Sequence, residues 1–245
     1  MTGFALGASY VLAGFRRLAD PRLRLYVITP LLINLVLFTA AIIWIGNRFD
    51  GWIDSAVAWL PQWLQWVEWL LWPLFGLVMI LVMFYTFTMV ANIIGAPLNG
   101  LLAEKVETAC CGDAPPGSGV SFLAEIPRAV GHEFRKWAYI LPRALPLLLL
   151  FVVPAVNVLA PLLWFGFGAW MLAMEYADYP MGNHGLKFRE QRVILRQHRM
   201  VALGFGAAVF AMTLVPLLNF LSMPTAVIGA TLLWHEQLKP PAKNG

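Results

Sequence analysis

Charge is what this 245-residue chain has least of. Only 12% of its residues are Asp, Glu, Lys or Arg, against 60% that are hydrophobic. An ordinary soluble domain carries about 25% charged and about 45–50% apolar residues. The chain cannot clothe a globular surface with so little charge, which excludes a soluble enzyme or a disordered segment and leaves an integral membrane protein. Cysteine is nearly absent too. Cys110 and Cys111 are neighbours and cannot staple distant segments, so neither a disulfide framework nor a Cys-rich metal site is available. Net charge is only +4, from 17 Lys and Arg against 13 Asp and Glu, too little to argue for a nucleic-acid partner. There is no Walker loop, G-x-S-x-G or HExxH, and His132, His184, His198 and His235 have no carboxylate or histidine partner at metal-ligand spacing. Neither catalysis nor a cofactor is implied. Residues 1–15 hold no charge and Arg16-Arg17 come after them, the reverse of a cleavable signal peptide.

Long apolar runs take the place of what is missing. Residues 1–20 open the chain with Phe4, Ala8, Val11, Phe15 and Leu18 at helical spacing, which predicts an amphipathic helix lying on the membrane surface. The first uncharged run, Leu25 to Asn47, has 23 residues, and as a helix it is about 34 Å long, enough to cross a hydrocarbon core of about 30 Å. The second, Trp69 to Ala103, has 35 residues. These predict spanning helices over 21–48 and 69–108. Between them, residues 52–72 hold six of the eleven tryptophans (Trp52, Trp59, Trp63, Trp66, Trp69 and Trp72). Indole rings at the headgroup level would anchor the turn there.

Two further runs, 144–174 and 200–234, are interrupted by proline and resemble each other. Val153-Pro154-Ala155-Val156-Asn157 precedes Pro161, and Val215-Pro216-Leu217-Leu218-Asn219 precedes Pro224. Paired prolines should break each helix into short legs. Basic residues lie on both sides of each run: Arg128, Arg135, Lys136 and Arg143, then Lys187, Arg189, Arg192, Arg196 and Arg199, then Lys239 and Lys243. Positive charge marks the cytoplasmic face. Each run is therefore expected to be a re-entrant, hemi-penetrating hairpin with its Pro-Asn-Pro turn deepest, rather than one kinked span. Residues 121–142 and 184–199 are expected to be cytoplasmic amphipathic helices, the first capped by Ser121. The whole chain reads as one all-α membrane domain.

Pro-broken apolar segments in corresponding positions point to a transport site, because broken helices bring backbone dipoles into the membrane. The strongest anion candidate is Asp20-Pro21-Arg22-Leu23-Arg24, where Asp20 is placed to cap the first spanning helix and Arg22 and Arg24 flank its N-terminus. Free N–H groups and guanidinium donors there suit a tetrahedral oxyanion. Arginines that merely snorkel to headgroups would carry the same pattern, and the residues alone leave both readings open. Asn157 and Asn219 can offer amide donors to a passing anion or cap the broken turns. Glu104 and Glu107 can pair with Arg128, Arg135 or Arg143 at the cytoplasmic mouth, or form an ordinary surface cluster. Asn92 and Asn99 fall in the second spanning run and suit interhelical hydrogen bonds.

Four stretches carry a resemblance over nearly the whole chain: Arg24 to Asn34, Ala96-Pro97-Leu98-Asn99-Gly100-Leu101-Leu102-Ala103-Glu104, Tyr139-Ile140-Leu141-Pro142-Arg143-Ala144, and Asp178-Tyr179-Pro180 followed by Asn183-His184. The sequence resembles the CysZ family of bacterial inner-membrane sulfate transporters. The resemblance implies sulfate uptake feeding cysteine biosynthesis, with sulfite as a competitor or regulator. It also implies two long spanning helices with two hemi-penetrating pairs, and a homo-oligomer built from dimers among membrane lipids. The family's sulfate-contacting motif has two consecutive arginines. Arg24 matches the first, but Leu25 stands at the second, and Arg22 leaves the helix on another side. A membrane-organising scaffold without transport is the alternative, suggested by the hairpins and interfacial helices; it predicts membrane association and no flux.

Overall fold

The computed structural model describes residues 2–58, 68–112, 136, 138–154 and 156–240, and the described residues form helices and turns without a strand. In chain order the helices are α1 (Gly3–Arg17), α2 (Arg24–Ala58) and α3 (Glu68–Cys111), then α4 (Ala138–Leu149). They continue with α5 (Ala160–Asn183), α6 (Phe188–Gln197), α7 (Arg199–Thr213) and α8 (Pro216–Leu233), and a π-helical turn, Trp234–Leu238, closes the last. The chain divides into two compact units, Met1–Val27 with Ala96–Gly245, and Ile28–Gly95.

The smaller unit holds most of α2 and the first two-thirds of α3, the two uncharged runs. Proline does not interrupt them, although Pro30 lies in α2 and Pro73 in α3. Many of its described apolar side chains are exposed, among them Leu35, Val36, Ile42, Ile43, Leu77, Ile80 and Val82. Phe49 of α2 meets Trp72 of α3 edge to face at 5.4 Å between ring centroids, and Trp44 meets Trp52 at 5.6 Å. Trp69 is exposed beside them. Trp59, Trp63 and Trp66 of the expected aromatic belt lie outside the described residues.

In the larger unit α1, α5, α7 and α8 pack at distances that only glycine permits. A Cβ on Gly7 would lie 1.9 Å from the Val201 carbonyl oxygen; one on Gly204, 1.9 Å from that of Phe4; one on Gly206, 1.8 Å from that of Ala169. Small residues let helix backbones approach this closely, as in membrane bundles. The expected helix over 1–20 is present as α1, but its packed face differs. Gly7, Tyr10, Val11 and Gly14 are buried, while Phe4 and Phe15 are exposed. The large apolar residues dominate the periodicity, yet small ones make the contact. Phe205, Met181, Leu195, Leu23, Leu102, Val106 and Trp234 fill the core around it.

Both proline-interrupted runs are broken. In the first, α4 ends at Leu149 and α5 starts at Ala160 with Pro161 in its opening turn, and the described residues between them, 150–154 and 156–159, are in turns. In the second, α7 ends at Thr213 and Pro216 opens α8. Pro224 does not break α8, contrary to the pattern. The α8 backbone there is held against α1, where Gly14 approaches the Thr225 carbonyl and Gly229. The second leg is thereby longer than the sequence suggests. Among the described residues Pro216–Leu238 is the one helix long and apolar enough to cross a membrane.

The expected amphipathic helix over 184–199 is seen as α6, with Gln191 and Leu195 buried four residues apart and Glu190 accepting the Lys187 backbone N–H at 2.6 Å. The 121–142 helix, with Ser121 and Arg128, lies outside the described residues except for its end.

Candidate functional site

Asp20 closes the turn over 21–23 that leads into α2, which begins at Arg24 rather than at Pro21. The Asp20 carboxylate accepts the Arg22 backbone N–H at 2.9 Å, while the Leu23 and Arg24 N–H groups both reach the Asp20 carbonyl at 3.0 Å. This alters the expected anion site. The N–H groups that would greet an oxyanion are already bonded, one of them to a carboxylate. What remains is the guanidinium pair. Arg22, in the turn before α2, and Arg24, its first residue, are exposed on either side of the fully buried Leu23. Leu25 is 70% exposed, so the position where the family motif has its second arginine is on the surface.

Asn157, in the turn before α5, and Asn219, in the first turn of α8, both have exposed side chains. Neither asparagine caps a helix. The N-cap residues of α5 and α8 are Leu159 and Val215, without a side-chain cap bond. Asn219 sits inside α8, where its backbone carbonyl accepts the Ser222 hydroxyl at 2.7 Å. Glu104 is half-buried on α3. Arg143, a proposed partner for the glutamates, instead donates to the Tyr139 carbonyl at 2.8 Å and lies 3.8 Å from the Tyr139 ring centroid. Arg192 lies 4.7 Å from the same ring. Lys136 donates to Glu175 at 2.8 Å, with Asp178 at 3.6 Å.

The end of α3 meets the end of α5, which brings together two of the stretches that carry the family resemblance. Buried Asn99 donates to the Tyr179 hydroxyl at 3.3 Å, the interhelical bond expected of it; the Asn92 side chain lies outside what is described. Asn183 donates to the Gly100 carbonyl at 2.9 Å. The end of α5 is fixed by Gly185, whose φ of +75° is the left-handed conformation glycine adopts without cost. Its N–H bonds Gly182 at 2.8 Å and that of Leu186 bonds Met181 at 3.1 Å. This is a Schellman closure, and it sets His184 at the C-cap.

From there His184 Nε2 donates to Glu107 Oε1 at 2.7 Å. Glu107 is completely buried and bonds an imidazole; of the arginines expected near it, Arg128 and Arg135 lie outside the described residues. His235, from the π turn, places Nδ1 3.9 Å from the same oxygen. The indole of buried Trp234 packs 5.5 Å from the His184 ring. Glu107 Oε2, His235 Nδ1 and Trp234 Nε1 are buried without a hydrogen-bond partner. Sequence spacing gave no sign of this carboxylate–histidine cluster, because Glu107 and His184 are 77 positions apart. Among the described residues no group of three His, Cys, Asp or Glu is placed to hold a metal ion.

The family model described as Sulfate transporter CysZ/Etoposide-induced protein 2.4 matches residues 10–224. A relative named Sulfate transporter CysZ from Pseudomonas aeruginosa (strain PAO1) is 47% identical over 233 residues, 94% of this chain and 95% of the relative. One of the same name from Pseudomonas fluorescens (strain Pf-5) is 48% identical, over 94% of each. Another from Pectobacterium atrosepticum is 45% identical over 95% of this chain and 86% of its own length.

Proposed function

The chain belongs to the Sulfate transporter CysZ/Etoposide-induced protein 2.4 family, and we propose that it carries sulfate across the bacterial inner membrane as a multi-pass protein, supplying sulfur for cysteine biosynthesis. The observation that carries this reading is the near full-length likeness to relatives named as sulfate transporters. The outward apolar faces of α2 and α3 suit contact with lipid tails, and the closely packed larger unit suits a bundle that forms the path. α1 lies along the interface. The two broken runs dip in and return, with exposed apolar turns that include Val152, Val158, Leu217 and Phe220.

In this reading Arg24 holds sulfate at one mouth of the path, with Arg22 as a second donor that a small movement would bring into play. The amides of Asn157 and Asn219 line the deepest turns, and Glu104 and Arg128 shape the cytoplasmic mouth. The working form is a homo-oligomer built from dimers, with sulfite competing for the same site.

Isothermal titration of the detergent-purified protein with sulfate tests the function. Saturable binding, displaced by sulfite, is expected; a membrane scaffold would give no heat of binding. Single-cysteine labelling in a background lacking Cys110 and Cys111 tests the topology. A label near Asp54 should react from outside, and labels at Gly117 and Gly182 from inside. Reaction of those last two from opposite faces would remove the hairpin arrangement.

A further inference from the structure

Arg143 of α4 and Arg192 of α6 converge on one aromatic ring. The Arg143 guanidinium lies 3.8 Å from the centroid of the buried Tyr139 ring, and that of Arg192 lies 4.7 Å from it. Arg192 also stands 5.6 Å from the Phe188 ring, which meets Tyr139 edge to face at 5.8 Å. Aromatic rings attract cations and fix these two groups in place. Like charges held this near one another repel, and an anion between them would relieve it.

No carboxylate supplies that anion among the described residues. Arg143 donates to the Tyr139 carbonyl at 2.8 Å, and Arg192 Nε is buried without a partner. The acidic groups nearby are engaged. Asp178 accepts from Gln191 at 2.8 Å, Glu175 accepts from Lys136 at 2.8 Å, and Glu190 takes the Lys187 N–H. A buried donor left unpaired calls for a reason, and two guanidinium groups side by side suit a phosphate or another tetrahedral oxyanion.

The surroundings favour one source of that oxyanion. Residues 187–199 carry Lys187, Arg189, Arg192, Arg196 and Arg199 against Glu190 alone. On α6, Arg189 and Arg196 are exposed, with exposed Val193 between them at helical spacing. A surface helix that mixes basic and apolar groups in this way suits an anionic membrane surface. From Arg143, α4 runs on into Leu145, Leu148 and Leu149, all exposed. Bare leucines suit acyl chains and offer nothing to a free ion.

We propose that Arg143 and Arg192, set by Tyr139, hold the phosphate of an anionic phospholipid whose acyl chains lie along the apolar end of α4. A glycerol headgroup leaves the phosphate charge unbalanced, whereas choline adds an ammonium that Arg189 and Arg196 repel. The bound lipid ties the first broken run to α6. The inference rests on the membrane reading of the chain and not on sulfate transport.

The test is thermal melting of the whole detergent-purified protein, titrated with phosphatidylglycerol or with phosphatidylcholine. Salt at about 0.5 M screens diffuse attraction to within a few ångströms. Phosphatidylglycerol should still raise the midpoint saturably there, and phosphatidylcholine should not. Arg143→Gln with Arg192→Gln should raise the half-saturating lipid concentration by about a hundredfold or more. Arg189→Gln with Arg196→Gln removes the same charge from exposed positions and should change it little at that salt. Should the first pair unfold the protein, Arg143→Gln alone, at an exposed side chain, should raise it about tenfold, and no change there overturns the site. Equal losses in the two pairs, or no preference for phosphatidylglycerol, also overturn it. Stabilisation by inorganic phosphate that needs Arg143 and Arg192 would make this a free-oxyanion site and overturn the lipid.

Discussion

Gly46 and Gly51, in the smaller unit, have no atom within 4 Å of where a Cβ would stand, whereas Gly7, Gly204 and Gly206 of the larger unit would each drive one into a neighbouring helix's backbone at 1.8 to 1.9 Å. The same residue type thus does different things in the two units. The larger unit is held by backbone approach among α1, α5, α7 and α8. The smaller one presents bare apolar side chains to its surroundings and makes aromatic contacts where Phe49 meets Trp72. The first must be specified by the chain, the second chiefly by the solvent around it. The packed bundle tolerates almost no added volume, whereas Gly46 and Gly51 leave room for it.

The contrast breaks most sharply at Gly206. Gly206→Leu must push α7 away from α5, and overpacking of even a few methylenes costs about 1–3 kcal/mol, more where backbone is struck. The expected result is loss of the monodisperse peak in detergent size-exclusion chromatography, or a melting midpoint too low to measure. A protein that melts as the wild type does would show that the helices are not in backbone contact.

Arg24 comes next in size. A charge-assisted contact contributes about 1.5–3 kcal/mol, so Arg24→Ala should weaken sulfate binding roughly ten- to a hundredfold. Arg24→Lys should recover part of that, because an ammonium lacks the planar fork. Leu25→Arg, at an exposed position, should leave affinity unchanged or tighten it. Titration calorimetry reads all three. Unchanged affinity in a correctly folded Arg24→Ala protein would rule this site out.

A smaller effect is expected at Tyr10, where α1 is tied to the π turn. Burial, then the hydrogen bond to Glu236, push its hydroxyl up from 10.0 to about 12. A raised value in the folded state means the neutral hydroxyl stabilises the protein fully below pH 10 and that this contribution is lost as pH rises toward 12. Tyr10→Phe should therefore melt lower than the wild type at neutral pH and show less further loss across the alkaline range, followed by circular dichroism. Smallest of all is Gly46→Ala, in open space on α2. It should leave stability unchanged or raise it by about 0.4–1 kcal/mol through the unfolded chain and helix propensity, read as an unchanged or slightly higher midpoint.

The parts of the fold that depend on runs and interruptions were legible in the sequence. Uncharged length announces α2 and α3, and Pro154 and Pro216 announce the two breaks. The packed face of α1 was not legible, because periodicity weighs Phe4 and Phe15 above Gly7 and Gly14, while contact depends on what is small. Pro224 misled as well: α8 runs through it, its backbone there lying against Gly14 of α1. In the candidate site, the Asp20 bond to the Arg22 N–H follows from local chemistry, although it closes a turn ahead of α2 rather than the helix itself. The Glu107–His184–His235 cluster is a tertiary fact. Its members lie on three elements far apart in the chain, and the available hint was that Ala96–Glu104 and Asp178–His184, both carriers of the family resemblance, bracket it.

The central claim is that this chain alone moves sulfate. Radiolabelled sulfate uptake into proteoliposomes containing only this protein tests it most directly, with sulfite and phosphate as competitors. The account predicts saturable uptake that sulfite suppresses, and that Arg24→Ala sharply reduces at low sulfate. Uptake no faster than in protein-free liposomes, from protein shown to be folded and inserted, would contradict it.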